Sequence, residues 1–214
     1  MTIAGVVLGA GTGTRLRPLT DRAPKPLLPV LSRPLIGHVL KAVELAGAKE
    51  IYVNLHHRAD ALAAYLDTWP GAVALRHTVE PYLSGPAGAL TTFADRLRDA
   101  ELIVVSSGDV VFADDLRGLV DTHRGTAAAL TFAVKRAVRA RNYGVLDVDG
   151  DGRLVSAQEK PDVPDSEEHW ISCGIYCVDA AVINDVVVLH KEVGVVDFAR
   201  DLAPALLARG AVVS

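Results

Sequence analysis

The chain has almost no cysteine, no long apolar run and no concentration of positive charge, and each shortage removes a class of protein. Its two cysteines, Cys173 and Cys177, lie in one apolar segment. They are too few for a disulfide framework or a zinc ribbon and read as reduced core residues. No stretch approaches the ~20 apolar residues of a membrane-spanning helix, and the chain enters an apolar run at Ile3 with no basic region before it. A cytoplasmic location and no membrane partner are expected. A formal net charge of -4 without a sustained Lys/Arg-rich run argues against a nucleic-acid partner, so cations that matter are local to a site. Internal repeats and low-complexity segments are missing too. The one linker-like stretch, 161–168, is polar with two prolines and is expected as a loop at a site mouth.

What is present is apolar material, half of 214 residues, enough for one domain over 1–214 with a sizeable core. Strand-like runs over 3–8, 51–54, 73–77, 102–106 and 128–134 alternate with helical patterns over 35–46, 59–66 and 115–123, and a further helix is expected after Pro86. That alternation predicts βαβ units and a mostly parallel α/β sheet. It weakens after 135. Runs over 143–148 and 154–158 flank Asp149-Gly150-Asp151-Gly152 and predict a hairpin, followed by a strand over 170–178 and helices over 180–186 and 198–208. The second half, 136–214, should therefore be mixed.

The densest chemistry lies in 6–27, VVLGAGTGTRLRPLTDRAPKPL. A buried strand breaks into Gly9, Gly11 and Gly13, where residues without Cβ let the backbone turn and approach a ligand closely. The loop from Leu8 through Ala10, Thr12 and Thr14 offers backbone N–H groups to an anion. Arg15 follows at once, and Lys25, between Pro24 and Pro26, adds a second cation. A dinucleotide loop needs a third glycine where Thr14 sits, and a GxxxxGK[ST] loop needs a Gly-Lys pair that is missing. The stretch instead resembles the signature of the sugar-1-phosphate nucleotidyltransferases (nucleotide-sugar pyrophosphorylases), a strand followed by G-x-G-T-R-L-x-P-L-T and P-K-P-L. In pattern it is most similar to mannose-1-phosphate guanylyltransferase-like members.

The resemblance implies a Rossmann-like sheet and transfer of a nucleotidyl group from an NTP to a sugar 1-phosphate, with Mg²⁺ as cofactor. Oligomeric state stays open. Asp109, after Ser107-Gly108 at the end of an apolar run, could be a simple turn residue. The family carries a G-D here whose Asp binds the metal, which assigns Gly108 to the nucleotide and Asp109 to Mg²⁺. Asp114 and Asp115 read as helix caps. The segment 80–90, EPYLSGPAGAL, resembles the family's base-recognition loop through Glu80 and Gly85. A carboxylate only accepts hydrogen bonds, which suits the N1–H and N2–H of guanine and favours GTP over UTP, dTTP or ATP. Downstream, NYGVLDV, QEKP and ISCGIYCVD resemble Y-G-V, E-K-P and N-A-G-x-Y. This implies that Gly144 and Glu159 face sugar hydroxyls, that Lys160 pairs with the sugar phosphate, and that Ser172, Gly174 and Tyr176 complete the sugar side. Ser172 and Cys173 replace the usual Asn and small residue, so the sugar is left open. Arg15 would serve the β- and γ-phosphates and Lys25 the α-phosphate, and Arg15, Lys25, Lys160 and Asp109 are expected to converge on one cavity.

The family pattern continues into a W-x-D-x-G-T motif holding a second metal ligand, whereas this sequence ends at Ser214. Asp197 and Asp201 match the preceding D-F-x-x-D helix instead. Either metal binding is impaired, leaving a relative that binds nucleotide without turnover, or Mg²⁺ rests on Asp109, nucleotide phosphates and water. Two other patterns carry less. Asp147, Asp149 and Asp151 match the opening of an EF-hand loop, but Gln158 stands at its twelfth position and strands replace the helices. His56 and His57 point apart on an extended chain, with nothing nearby to complete a metal set. No nucleophile–base pairing suggests covalent catalysis.

Overall fold

In the computed structural model, which describes residues 2–112 and 115–214, the apolar run at the N-terminus is a strand buried on both faces. Along β1 (Ile3–Leu8), Ala4 and Val6 pack into one core while Ile3 and Val7 pack into a second. That is why the sequence reads as a continuous apolar run rather than an alternation. The chain continues through a small ribbon, β2 (Pro29–Val30) and β3 (Arg33–Pro34), then α1 (Leu35–Leu45), β4 (Ala48–Leu55), α2 (Ala59–Asp67), β5 (Ala74–Val79), a tight helical turn Gly88–Phe93 that runs into α3 (Ala94–Leu97), and β6 (Leu102–Ser107). Next come α4 (Leu116–Thr126), β7 (Leu130–Ala137), β8 (Gly144–Val148), β9 (Leu154–Glu159), β10 (His169–Asp179), α5 (Ile183–Val193) and α6 (Ala203–Ala208).

One eight-stranded sheet runs β5-β4-β1-β6-β10-β8-β9, with β7 also paired to β10. Strands β5, β4, β1 and β6 are mutually parallel, and β10 is antiparallel to β6, β7 and β8. This is the α/β, Rossmann-like sheet with a mixed second half. Helices α1, α2 and α4 cover one face through Ile36, Leu40, Leu62 and Val120; α5, α6 and the turn Phe198–Leu202 cover the other through Ile183, Leu206 and Phe198. Among the described residues no helix is long and apolar enough to cross a membrane.

Two departures from the expected elements have local causes. The helix expected after Pro86 begins as the tightly wound six-residue segment Gly88–Phe93, where Thr91 Oγ1 donates to the Gly88 carbonyl at 2.7 Å and competes with regular helical bonding. The helix expected over 198–208 opens with a wide turn, its Leu202 N–H reaching back five residues to the Asp197 carbonyl at 3.0 Å. Asp197 caps that turn, accepting from Ala199 N–H and Arg200 N–H, while Asp201 accepts from Asp197 N–H in return. Asp115 caps α4 by accepting from Arg117 N–H at 2.9 Å; its neighbour Asp114 lies outside the described residues.

Candidate active site

Parallel pairing brings the ends of four strands to one level. Leu8 of β1 stands beside Asn54 of β4 and Ser107 of β6, and Leu55 stands beside Val79 at the end of β5. Ligands in open parallel sheets sit beyond this carboxyl edge. A cavity of about 690 Å³ opens there, lined among others by Leu8, Asn54, Glu80 and Ser107. Its size suits a nucleotide.

The glycine loop forms one wall. Gly9 N–H donates to Asn54 at both the backbone carbonyl and Oδ1, each at 3.1 Å, and a Cβ on Gly9 would stand 2.9 Å from that carbonyl. Gly13 takes the left-handed conformation (φ 64°), which lets the chain fold back. There Thr20 Oγ1 donates to the Gly13 carbonyl at 3.0 Å, and a side chain on Gly13 would strike Thr20 and Lys25. The fold-back places Ala10, Gly11, Thr12, Gly13, Thr14, Arg15 and Lys25 in the same wall. Gly108 N–H donates to the Leu8 carbonyl at 2.9 Å, a contact a Cβ would obstruct. Asp109 is thereby carried into the cavity opposite the loop, where Lys25 Nζ lies 2.5 Å from its Oδ2.

Glu80 is buried rather than solvated, with 4% of its surface exposed. Its N–H donates to the Leu55 carbonyl at 2.7 Å, its own carbonyl is met by His56 Nδ1 at 2.9 Å, and its carboxylate Oε1 accepts from Ser84 Oγ and Thr92 Oγ1. The loop that follows is pinned to the C-terminal half. Val196 N–H donates to the Ser84 carbonyl, and Ala87 and Gly88 N–H donate to the Val196 carbonyl at 3.0 and 3.2 Å. Gly85 (φ 87°) makes this approach possible, since a Cβ there would sit 2.5 Å from the Val196 oxygen. Gly85→Ala should therefore displace the loop, lowering the melting temperature by about 4 °C or more and raising the nucleotide Kd about tenfold. A melting curve and a titration matching the wild type would contradict this.

The residues expected on the sugar side gather elsewhere. Gly144 faces Glu159 across β8 and β9, and a Cβ on Gly144 would meet Ala199, Glu159 Oε2 and Ser172. Lys160 is the exception to the expected convergence. It has a left-handed backbone (φ 49°), its Nζ pairs with Glu159 Oε1 at 2.6 Å, and it is not part of the cavity wall. Tyr176 is buried in the core, stacked on Phe198 at 3.8 Å, with only its hydroxyl met by Ser172 Oγ; burial pushes its phenol well above the ordinary range. Gly174 (φ 72°) links the two groups, packing so closely on Ser107 that a Cβ would sit 2.8 Å from Ser107 Oγ.

Other side chains explain themselves locally. Asp149 accepts from the N–H groups of Asp151 and Arg153 within the hairpin turn, and Asp147 accepts from Ser156. Cys173 and Cys177 are free, and burial raises both thiols, Cys177 to about 12, so neither is an activated nucleophile. No motif marks Asn54 and Ser107, which line the cavity, or Ser84 and Thr92, which hold the lining residue Glu80. The available signal was a polar residue at the end of an apolar strand, Asn54 after 51–53 and Ser107 after 102–105.

Asp109 suits Mg²⁺ in part. Lys25 holds Oδ2 and leaves Oδ1 without a hydrogen bond among the described residues, while no group of three or more His, Cys, Asp or Glu that could hold a metal occurs among them. One carboxylate with nucleotide phosphates is a common way to hold this ion.

Comparison with known proteins places this geometry. The nucleotidyl transferase family pattern matches residues 4–214. The chain is 32% identical over 209 residues to a mannose-1-phosphate guanylyltransferase of Mycobacterium tuberculosis, covering 97% of this chain and 56% of that protein. It is 30% identical to a UTP–glucose-1-phosphate uridylyltransferase of Synechocystis sp., covering 96% and 55%. The chain thus spans little more than half the length of these curated relatives. A solved structure from Bacillus anthracis, provisionally assigned as a glucose-1-phosphate thymidylyltransferase, superposes with a TM-score of 0.86 at 25% identity, covering 100% of this chain and 85% of the other.

Proposed function

Since the chain belongs to the nucleotidyl transferase family, we propose that it joins an NTP, GTP before UTP, dTTP or ATP, to a sugar 1-phosphate, releasing pyrophosphate and an NDP-sugar. The observation that carries this reading is the placing of Arg15, Lys25 and Asp109 around one cavity whose wall includes the glycine loop. In this reaction an oxygen of the sugar phosphate attacks the α-phosphorus while pyrophosphate departs on the opposite side. Catalysis is therefore alignment and charge neutralisation.

Backbone N–H groups of the glycine loop and the Arg15 guanidinium hold the β- and γ-phosphates. Lys25 exchanges its contact with Asp109 for the α-phosphate oxygens, where negative charge develops. Asp109 would hold Mg²⁺, which when bound supplies further neutralisation of the phosphates. Lys160, paired with Glu159, takes the incoming sugar phosphate, and the reading assigns Gly144, Glu159 and Ser172 to the sugar hydroxyls. Tyr176 supports that side from the core through Ser172. Residues 1–135 form the nucleotide half and 136–214 the sugar-phosphate half of one unit. Free cysteines suit the reducing cytoplasm.

A screen of four NTPs against a panel of sugar 1-phosphates, read by pyrophosphate release, tests the reading. Release with at least one pair, fastest with GTP, is expected. Nucleotide binding by calorimetry without release from any pair would contradict it and leave a binding-only relative.

A further inference from the structure

We propose that Ser107 is the group within the cavity wall that receives the incoming sugar phosphate, its Oγ–H donating to a phosphate oxygen. The inference deepens the transfer reading above and rests on it. Ser107 ends β6 in register with Leu8 and lines the cavity together with Lys25 and Asp109. Its Oγ makes no hydrogen bond among the described residues and, unlike the equally unpartnered Glu80 Oε2, is not closed off from solvent. Gly174 of β10 stands beside it. A Cβ there would come within 2.8 Å of Ser107 Oγ, so any other residue in place of this glycine would crowd the hydroxyl.

The place of β6 in the sheet points to the second substrate. β6 lies between β1, which leads into the glycine loop, and β10, which carries Ser172 and Gly174. A group at its end therefore stands between the residues assigned to the nucleotide and those assigned to the sugar. The part of the sugar 1-phosphate that must reach this line is its phosphate, because an oxygen of that phosphate attacks the α-phosphorus. Lys25 and Asp109 meet at 2.5 Å in the same wall, and Asp109 follows Ser107 by two residues. Lys160, the cation assigned to the incoming phosphate, is paired with Glu159 and is not part of that wall, so Ser107 supplies the donor from inside it. A hydroxyl donating to a charged oxygen forms a short, charge-assisted hydrogen bond and brings no charge for Lys25 to repel. If Ser107 served merely as a small residue packed against Gly174, removing its oxygen would change nothing.

The test compares the wild type with Ser107→Ala and with Ser107→Cys, whose thiol is a weak donor. It measures KM for each sugar 1-phosphate the wild type uses, the NTP Kd by calorimetry, and a melting curve. Losing a hydrogen bond to a charged group should raise the sugar 1-phosphate KM about tenfold in both variants, with the NTP Kd and the melting temperature unmoved. The factor should be the same for every sugar, because the contact is to the phosphate they share. Folded variants with the wild-type KM overturn the proposal. A rise with one sugar while others are unaffected also overturns it, since the hydroxyl would then read the sugar ring. An NTP Kd that weakens in step with KM overturns it as well, as the mark of a disturbed strand end. A wild type that turns over no pair overturns the catalytic reading instead. The Kd of glucose 1-phosphate and mannose 1-phosphate, read by calorimetry on wild type and variants, then decides this one, and binding of neither sugar to the wild type overturns both.

Discussion

Lys25→Ala should lower kcat about 10²–10³-fold while leaving the far-UV spectrum unchanged, the size of effect seen when one positioned donor to a developing oxyanion is removed. The geometry explains why one side chain matters this much. Lys25 sits in a short turn after Pro24, in a fold-back fixed by Thr20 and Gly13, and its ammonium already reaches across the cavity to Asp109. In that position it meets whichever phosphate enters between the glycine loop and β6. Its removal also leaves the Asp109 carboxylate facing the phosphates without a cation, so Lys25→Ala should be worse than the loss of a solvated lysine. The side chain is about one-third exposed, so the ion pair itself contributes little to stability and the melting temperature should move little. Steady-state kinetics at saturating NTP check the expectation. Turnover within about threefold of wild type would remove Lys25 from the mechanism.

Glu80→Gln should reverse the base preference, cutting kcat/KM for GTP by about 10³-fold and raising that for UTP. The direction follows from what each side chain offers a base: a carboxylate only accepts hydrogen bonds, whereas a glutamine amide brings one acceptor and two N–H donors. Guanine would then meet donor against donor, while the uracil carbonyls would find a partner. The substitution keeps the size of the side chain, so the fold should persist. Competition between GTP and UTP for one sugar 1-phosphate measures the result, and a Glu80→Gln protein that still prefers GTP would contradict the assignment of the base site.

Much of this architecture was legible in the residues. β1 and the glycine loop could be read because two buried faces leave an unbroken apolar run, and because a tight turn against Asn54 and Thr20 admits only small residues at Gly9 and Gly13. Asp109 was legible for the same reason, since Gly108 must pass close to the Leu8 carbonyl. What the order of residues does not encode is which way a side chain points once distant segments meet. Glu80 reads as a loop residue; only the pairing of β4 with β5 and the approach of Thr92 bury it. Asn54 looks like the end of a strand until the adjacent β1 brings Gly9 against it. Lys160 matches its motif in sequence, yet a left-handed backbone turns it to Glu159. Tyr176 has the spacing of a site residue, but Phe132 and Phe198 from two other elements enclose its ring. The wide turn at Phe198–Leu202 arises from a cap at Asp197 that composition does not reveal.

The proposed reaction requires this cavity to bring an α-phosphorus and a sugar phosphate into line. Incubating the protein with Mg²⁺, a sugar 1-phosphate and GTP labelled at the α-phosphate measures it directly. The label should appear in the NDP-sugar and none in pyrophosphate; label that stays in GTP with every sugar 1-phosphate, or passes to free GMP, would contradict the account.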